Sequence, residues 1–252
     1  MDNDKLPEQE IVPQSKFSKW LDNFWFYHKW HLIIGLFVAF VLIIGLVQMA
    51  TKENPDVIIM YAGPLSSTIS EEEDVRNAFN SVIPVDYNND GKKYTQLAMI
   101  TIFSEEQIAQ KYKDAQERGE EIIINTSTNA SELQKYDNLI AAGEYSICLV
   151  DPWLYERVKV ANGFRKLSDV LGKTPENAYD EYAIKLSETE FGKYFSSLGV
   201  FPEDTLLCLR LKGTMSTFLN KNSDEEYAHS VDVFRAIINF KYPEGYVPKE
   251  TQ

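Results

Sequence analysis

Sixteen consecutive residues without one polar side chain, "LIIGLFVAFVLIIGLV" at 32–47, restrict this chain more than anything else in it. Extended to Trp30 and Ala50, the run takes in only His31 and Gln48 as polar interruptions. About twenty helical residues cover roughly 30 Å, the thickness of a bilayer's hydrocarbon core. A water-soluble helix needs only one apolar stripe, so a helix apolar all round calls for lipid. About thirty residues precede the run, and Gln48-Met49-Ala50 is a poor site for signal cleavage, so the segment is expected to stay as an anchor. No cysteine follows it to carry a lipid.

Orientation is read from the lysines. Lys16, Lys19 and Lys29 lie before the span and Lys52 alone follows closely, which predicts a cytoplasmic N-terminus and an extracytoplasmic remainder at the cell membrane. Phe17, Trp20, Leu21 and Phe24 recur at helical spacing opposite Lys16, Lys19, Asp22 and Asn23, the pattern of an interfacial helix. Trp25, Tyr27 and Trp30 suit an aromatic belt. The expected division is 1–29 as a cytoplasmic segment with an interfacial helix, 30–50 as the span and 51–252 as the outer domain.

The whole chain carries −13 and the part after residue 51 holds 21 basic and 33 acidic residues. That balance excludes nucleic acid, which needs a basic footprint, and offers no attraction to an anionic membrane face. A hydrophobic content of 44% is enough for a packed core. Cys148 and Cys208 both lie in apolar runs and read as buried thiols on strands; a disulfide requires the two strands to be neighbours.

In the outer domain apolar runs alternate with helical patterns. Strands are expected at 57–61, 94–103, 144–151 and 205–211, with a short one at 120–125. Helices are expected from Ser70, paired with Glu73 in a capping box, and from Ser104, paired with Gln107. Further helices read over 131–143, after Asp151 as N-cap with Pro152 at N1, and from Ser223 with Glu226. Residues 173–203 show no clear period. The alternation predicts an α/β class with a mainly parallel sheet and flanking helices, preceded by one transmembrane helix.

"ELQKYDNLIAAGEYSICLVDPWLYERVKVANGFRKLSDVLG" at 132–172 resembles extracellular solute-binding proteins of ABC importers, the type 2 periplasmic-binding class. There a helix ends in a small-residue turn, here Ala141-Ala142-Gly143-Glu144, and a hydrophobic strand, a short helix and a Gly-to-Leu docking segment follow, here Tyr145 to Val150, Leu154 to Val158 and Gly163 to Leu167. The strand-helix-strand over 57–103 and the last helix, 225–240, resemble the same lobe. The chain departs from the pattern in three ways: a span replaces the lipid-anchored cysteine, Glu144 stands for the usual aspartate, and the length beyond Gly172 is short for a second lobe. The resemblance implies a tethered solute-binding module serving an ABC-type transporter or sensor, with a small solute or peptide as ligand and no cofactor. The alternative is a subunit that binds no solute and contacts other proteins of a membrane complex.

Ligands of α/β folds sit at the carboxyl ends of parallel strands. Tyr61 and Trp153 there are candidates for stacking on a solute, and Ser104 and Asp151 for hydrogen-bonding it; each also has a structural reading as core or helix cap. "VDYNNDGKKYTQL" at 85–97 opens like a calcium loop, with Asp86, Asn88 and Asp90 as candidate metal ligands and Gly91 at the sharp turn. Its twelfth position is Leu97 instead of a bidentate glutamate, and Asn-Asp-Gly is itself a turn signal, so a tight turn is the preferred reading. His28 and His31 flank the span, His229 lies on the last helix, and there is no nucleophile elbow, phosphate-binding loop or zinc-protease motif. No enzymatic activity is expected.

Overall fold

A computed structural model of the chain describes residues 15–51, 54–213 and 223–246. The chain divides into two compact units, residues 1–53 and residues 54–252. Residues 1–14 of the expected cytoplasmic segment, residues 52–53 and 214–222, and the polar end after 246 lie outside the described residues.

The described part of the first unit is one helix, α1 (Lys16–Thr51), preceded by Ser15. It runs without interruption through the position where an interfacial segment and a span were expected to meet. Its stretch Lys16–Gln48 is long and apolar enough to cross a membrane. Side chains such as Ile34, Phe37, Val41 and Ile44 point outward on every side of it. Such a surface has no stable partner in water, so hydrocarbon is the solvent that suits it.

The second unit is a mixed α/β domain around an open five-stranded sheet. In chain order it contains β1 (Val57–Gly63), α2 (Ile69–Asn80), β2 (Thr95–Thr101), α3 (Glu105–Arg118), α4 (Thr126–Ala142), β3 (Ile147–Val150), α5 (Pro152–Val160) and α6 (Leu167–Leu171). Then come β4 (Ala183–Lys185), α7 (Glu190–Tyr194), β5 (Leu206–Leu209) and α8 (Ser223–Ile238), with 3-10 turns at Leu186–Glu188 and Ser196–Val200. The strand order is β2-β1-β3-β5-β4. β1 pairs in parallel with β2 and β3, whereas β5 is antiparallel to both β3 and β4. The sheet is therefore mixed, where a mainly parallel one was expected. Apolar strands buried on both faces look alike in sequence whichever way they run.

Alternation along the strands separates two cores. Ile59, Tyr61, Ile147, Leu149, Leu207 and Leu209 face one side, with Val75 and Phe79 of α2, Leu167 of α6, Phe191 of α7 and Phe234 of α8. Met60, Ala62, Cys148, Val150, Leu206 and Cys208 face the other, with Tyr136 of α4 and Leu154, Tyr155 and Val158 of α5. The connection from β1 to β2 thus passes over one face and the connection from β2 to β3 over the opposite face.

Several helix ends follow the sequence reading. Ser104 and Gln107 form the capping box of α3, Asp151 caps α5 with Pro152 in its first turn, and Gly143 ends α4 at φ +72°. Two helix starts differ. α2 is capped by Thr68 with Glu71, not by Ser70 with Glu73: the Glu71 carboxylate accepts from the Thr68 N–H at 2.7 Å and the Thr68 hydroxyl accepts from the Glu71 N–H at 3.3 Å. Both pairs satisfy the spacing, and the earlier cap wins because extending a formed helix adds a bond per residue without a new nucleus. α4 begins at Thr126, capped by Asn125, five residues before the expected start. Residues 120–125 form no strand; Ile123 is 94% exposed, and the Ile124 N–H is taken by the Tyr112 hydroxyl at 3.1 Å.

Residues 173–203, without a readable period, fold back onto the same sheet. β4 pairs with β5, and Phe191, Leu198 and Phe201 enter the first core. Cys148 and Cys208 stand directly opposite each other on β3 and β5, both buried and both free thiols.

Candidate functional site

Because the connection from β1 to β2 and the return from β2 past β1 to β3 pass over opposite faces, the sheet has a switch point between β1 and β3. The place for a ligand in such a sheet is outside the carboxyl ends of those strands. The structure brings Tyr61, Ser104 and Asp151 to this end of the sheet, with Trp153 in the first turn of α5.

The two polar candidates are already engaged in helix caps, and the two aromatic ones are packed against the cores. One Asp151 carboxylate oxygen accepts from the Trp153 N–H at 3.1 Å, which caps α5, and the other accepts from Gln107 Nε2 at 2.8 Å. Gln107 Oε1 accepts from the Ser104 N–H at 2.8 Å, and Ser104 Oγ accepts from the Gln107 N–H at 3.2 Å. One glutamine thus ties the caps of α3 and α5 together. The sequence marks Gln107 as the partner of Ser104, but nothing local signals Asp151, 44 residues on. Asp151 is 5% exposed, and burial holds its carboxyl above the usual aspartate range despite the donors from Gln107 and Trp153.

Tyr61 is 1% exposed and its ring packs on Phe201 with centroids 5.0 Å apart. Burial raises its phenol well above the ordinary tyrosine value. Its hydroxyl has no well-formed hydrogen bond and meets the Leu65 backbone only loosely. Gly63 lies between the two candidates: a Cβ there would stand 2.6 Å from the Tyr61 hydroxyl and 3.3 Å from Asp151 Cβ. The space at the strand ends is filled to within a methyl group. Trp153 is partly buried against the second core, with its indole N–H enclosed and unpaired.

The loop at 85–94 is organised by its own backbone. Asp86 accepts from the Gly91 N–H at 2.8 Å, Asn88 from the Asp90 N–H at 2.9 Å, and Asp90 from the Lys92 N–H at 2.9 Å. Asn89 and Gly91 have φ of +57° and +86°, the conformation that Asn-Asp-Gly tolerates. The whole loop hangs on Asp56, a residue that sequence reading placed only at the edge of a strand. One Asp56 oxygen accepts from the N–H groups of Tyr87 at 2.6 Å and Asn88 at 3.2 Å, and the other from Tyr94 at 2.8 Å. Lys93 Nζ donates to the carbonyls of Ile83 at 2.8 Å and Pro84 at 3.0 Å. Among the described residues no group of three or more His, Cys, Asp or Glu is placed to hold a metal ion.

The more open concavities lie away from the strand ends. A cavity of about 620 Å³ is lined by Asp74, Tyr194, Phe195, Ser196, Ser197 and Tyr246. A second, of about 500 Å³, lies by the edge strand β2, where Met99, Phe103 and Ile124 meet Glu132 and Lys135 of α4. Sequence reading passed over both. The first draws on α2, the segment after α7 and the chain beyond α8, which are up to 172 residues apart in sequence. Only the density of aromatic residues at 191–195 and 240–246 hinted at it. Compared with known protein families, with curated proteins and with solved structures, the chain finds no match in any of the three.

Proposed function

We propose that this chain is a membrane-tethered, extracytoplasmic module that contacts other proteins of a membrane complex and binds no solute at its strand ends. The observation that carries this reading is the placement of residues 173–203. They pair and pack onto the one sheet, where a solute-binding protein needs a second wall facing the crevice. The closure of the strand ends by Gln107, Asp151, Tyr61 and Gly63 points the same way. The lysines before the span set the domain on the outer side in this reading.

The solute-binding reading, with an ABC-type transporter or sensor as partner, draws support from the switch point itself, where Ser104 and Asp151 are polar groups at the right end of parallel strands. Thermal unfolding of the full chain in detergent, alone and with panels of sugars, amino acids and oligopeptides, separates the two. A ligand at about a hundred times its dissociation constant adds roughly 2.7 kcal/mol. No shift with any class is the expected result. A shift with one solute class overturns the contact reading. Its positive counterpart is photo-crosslinking in intact membranes from probes spaced around the domain. The expected pattern is a discrete adduct confined to one face, and uniform or absent crosslinking counts against the proposal.

A further inference from the structure

The cavity beside α7 has a chemistry of its own. Three of its six lining residues are aromatic, Tyr194, Phe195 and Tyr246; Ser196 and Ser197 add hydroxyls and Asp74 a carboxylate. Among the described residues no basic group lines it. The rings belong to a larger aromatic assembly: Tyr194 meets Tyr246 edge to face at 4.8 Å and Phe195 edge to face at 4.7 Å, and Tyr242 stacks on Tyr246 at 5.0 Å. Tyr242 donates its hydroxyl to Glu190, which pushes its phenol up to about 12 and anchors the ring behind Tyr246.

The carboxylate side is equally distinctive. Glu71, Glu72, Glu73 and Asp74 follow one another at the start of α2, and among the described residues no ion pair neutralises any of them. Lys193 on the neighbouring helix is paired with Glu190 at 3.5 Å. An open cavity that offers π faces, hydroxyl and carboxylate acceptors and a negative field suits one side chain above others. Arginine is planar, always charged, stacks on aromatic faces and carries five donors with no acceptor. Lysine is a more strongly hydrated point charge, and an anion finds no donor here except hydroxyls.

We infer that this cavity, with the acidic start of α2, is the docking surface for an arginine-bearing segment of a partner protein, the guanidinium stacking among Tyr194, Phe195 and Tyr246 and reaching Asp74. This names the partner chemistry for the contact module proposed above and rests on that reading. Tyrosine and arginine are enriched among the residues that carry most of an interface's binding energy, while acidic surroundings speed encounter with a basic partner.

The test uses the full chain in detergent and a fluorescent Gly-Arg-Gly-Arg-Gly peptide, with citrulline and lysine versions as controls. The arginine peptide should bind saturably and the citrulline and lysine peptides several-fold more weakly. Tyr194→Leu and Tyr246→Leu should each weaken binding about three- to fivefold. Tyr194→Phe, which keeps the ring, should bind as the parent does and controls for folding. Asp74→Asn, at an exposed position, should weaken binding about twofold and reduce its dependence on salt. Absence of saturable binding, or equal binding of the citrulline peptide, overturns the inference. Equal binding of the lysine peptide, or full competition by tetramethylammonium, overturns arginine as the occupant in favour of any organic cation. Concentration-dependent dimerisation abolished by Asp74→Lys overturns it in favour of a second copy. If one-faced crosslinking persists unchanged in Tyr194→Leu, this assignment falls while the contact reading stands.

Discussion

Asp56 makes a sharp test of how the loop at 85–94 is held. Its side chain is 7% exposed and accepts from three backbone N–H groups, at 2.6, 2.8 and 3.2 Å. In Asp56→Ala all three donors lose their acceptor. A hydrogen bond to a charged group contributes about 1.5–3 kcal/mol, and the two short bonds dominate, so the loss is about 4 kcal/mol. For a domain of this size each kcal/mol moves the melting midpoint by about 2–4 °C, which gives a drop of about 8–16 °C. Asp56→Asn retains one acceptor oxygen but turns an amide N–H₂ toward a donor, so about half the loss is expected. The assay is thermal unfolding of the full chain followed by circular dichroism at a wavelength dominated by the sheet domain. A drop below about 3 °C for Asp56→Ala would refute the reasoning, because water would then be replacing the carboxylate at little cost.

Other consequences are as specific. Thr68 lowers the Glu71 carboxyl through its backbone and hydroxyl hydrogen bonds, so the stability from this cap is present above the ordinary glutamate value, about 4.5, and is lost as pH falls through the lower folded value. Glu71→Gln should flatten that part of the pH–stability curve while leaving the helix content unchanged. A Cβ on Gly192 would stand 2.0 Å from the Leu186 carbonyl oxygen, so Gly192→Ala should cost about 3 kcal/mol or more, read as a lower denaturation midpoint. Burial raises Cys148 to about 12 and Cys208 well above its ordinary value, so both thiols should resist iodoacetamide in the folded protein and react together on unfolding. Labelling of either one before global unfolding would place it outside the core described.

Much of the architecture is written locally. The apolar run at 32–47 declares its helix because composition and length alone set its solvent. The strands at 57–61, 144–151 and 205–211 and the caps at Ser104 and Asp151 are legible because a buried strand and an N-cap each leave a signal within a few residues. Where two local solutions satisfy one pattern, as Thr68–Glu71 and Ser70–Glu73 do, spacing does not choose between them. At 120–125 an apolar run mimics a strand, yet a strand exists only when a neighbour accepts its hydrogen bonds, and none does so here. Residues 173–203 were unreadable for the related reason that their order comes from contacts: three-residue β4, five-residue α7 and two 3-10 turns are each too short to carry a period.

Sequence alone therefore determined the anchor, the α/β alternation, the acidic balance and the principal helix caps, all properties of neighbours along the chain. Tertiary structure alone decided that β5 runs against its neighbours and that Gln107 joins Ser104 to Asp151. It also decided that Asp56 holds a loop some thirty residues away and that Tyr246, beyond α8, lines one cavity with Asp74 of α2. These are relations between distant residues, selected by which apolar faces can be buried together, and no local pattern encodes them.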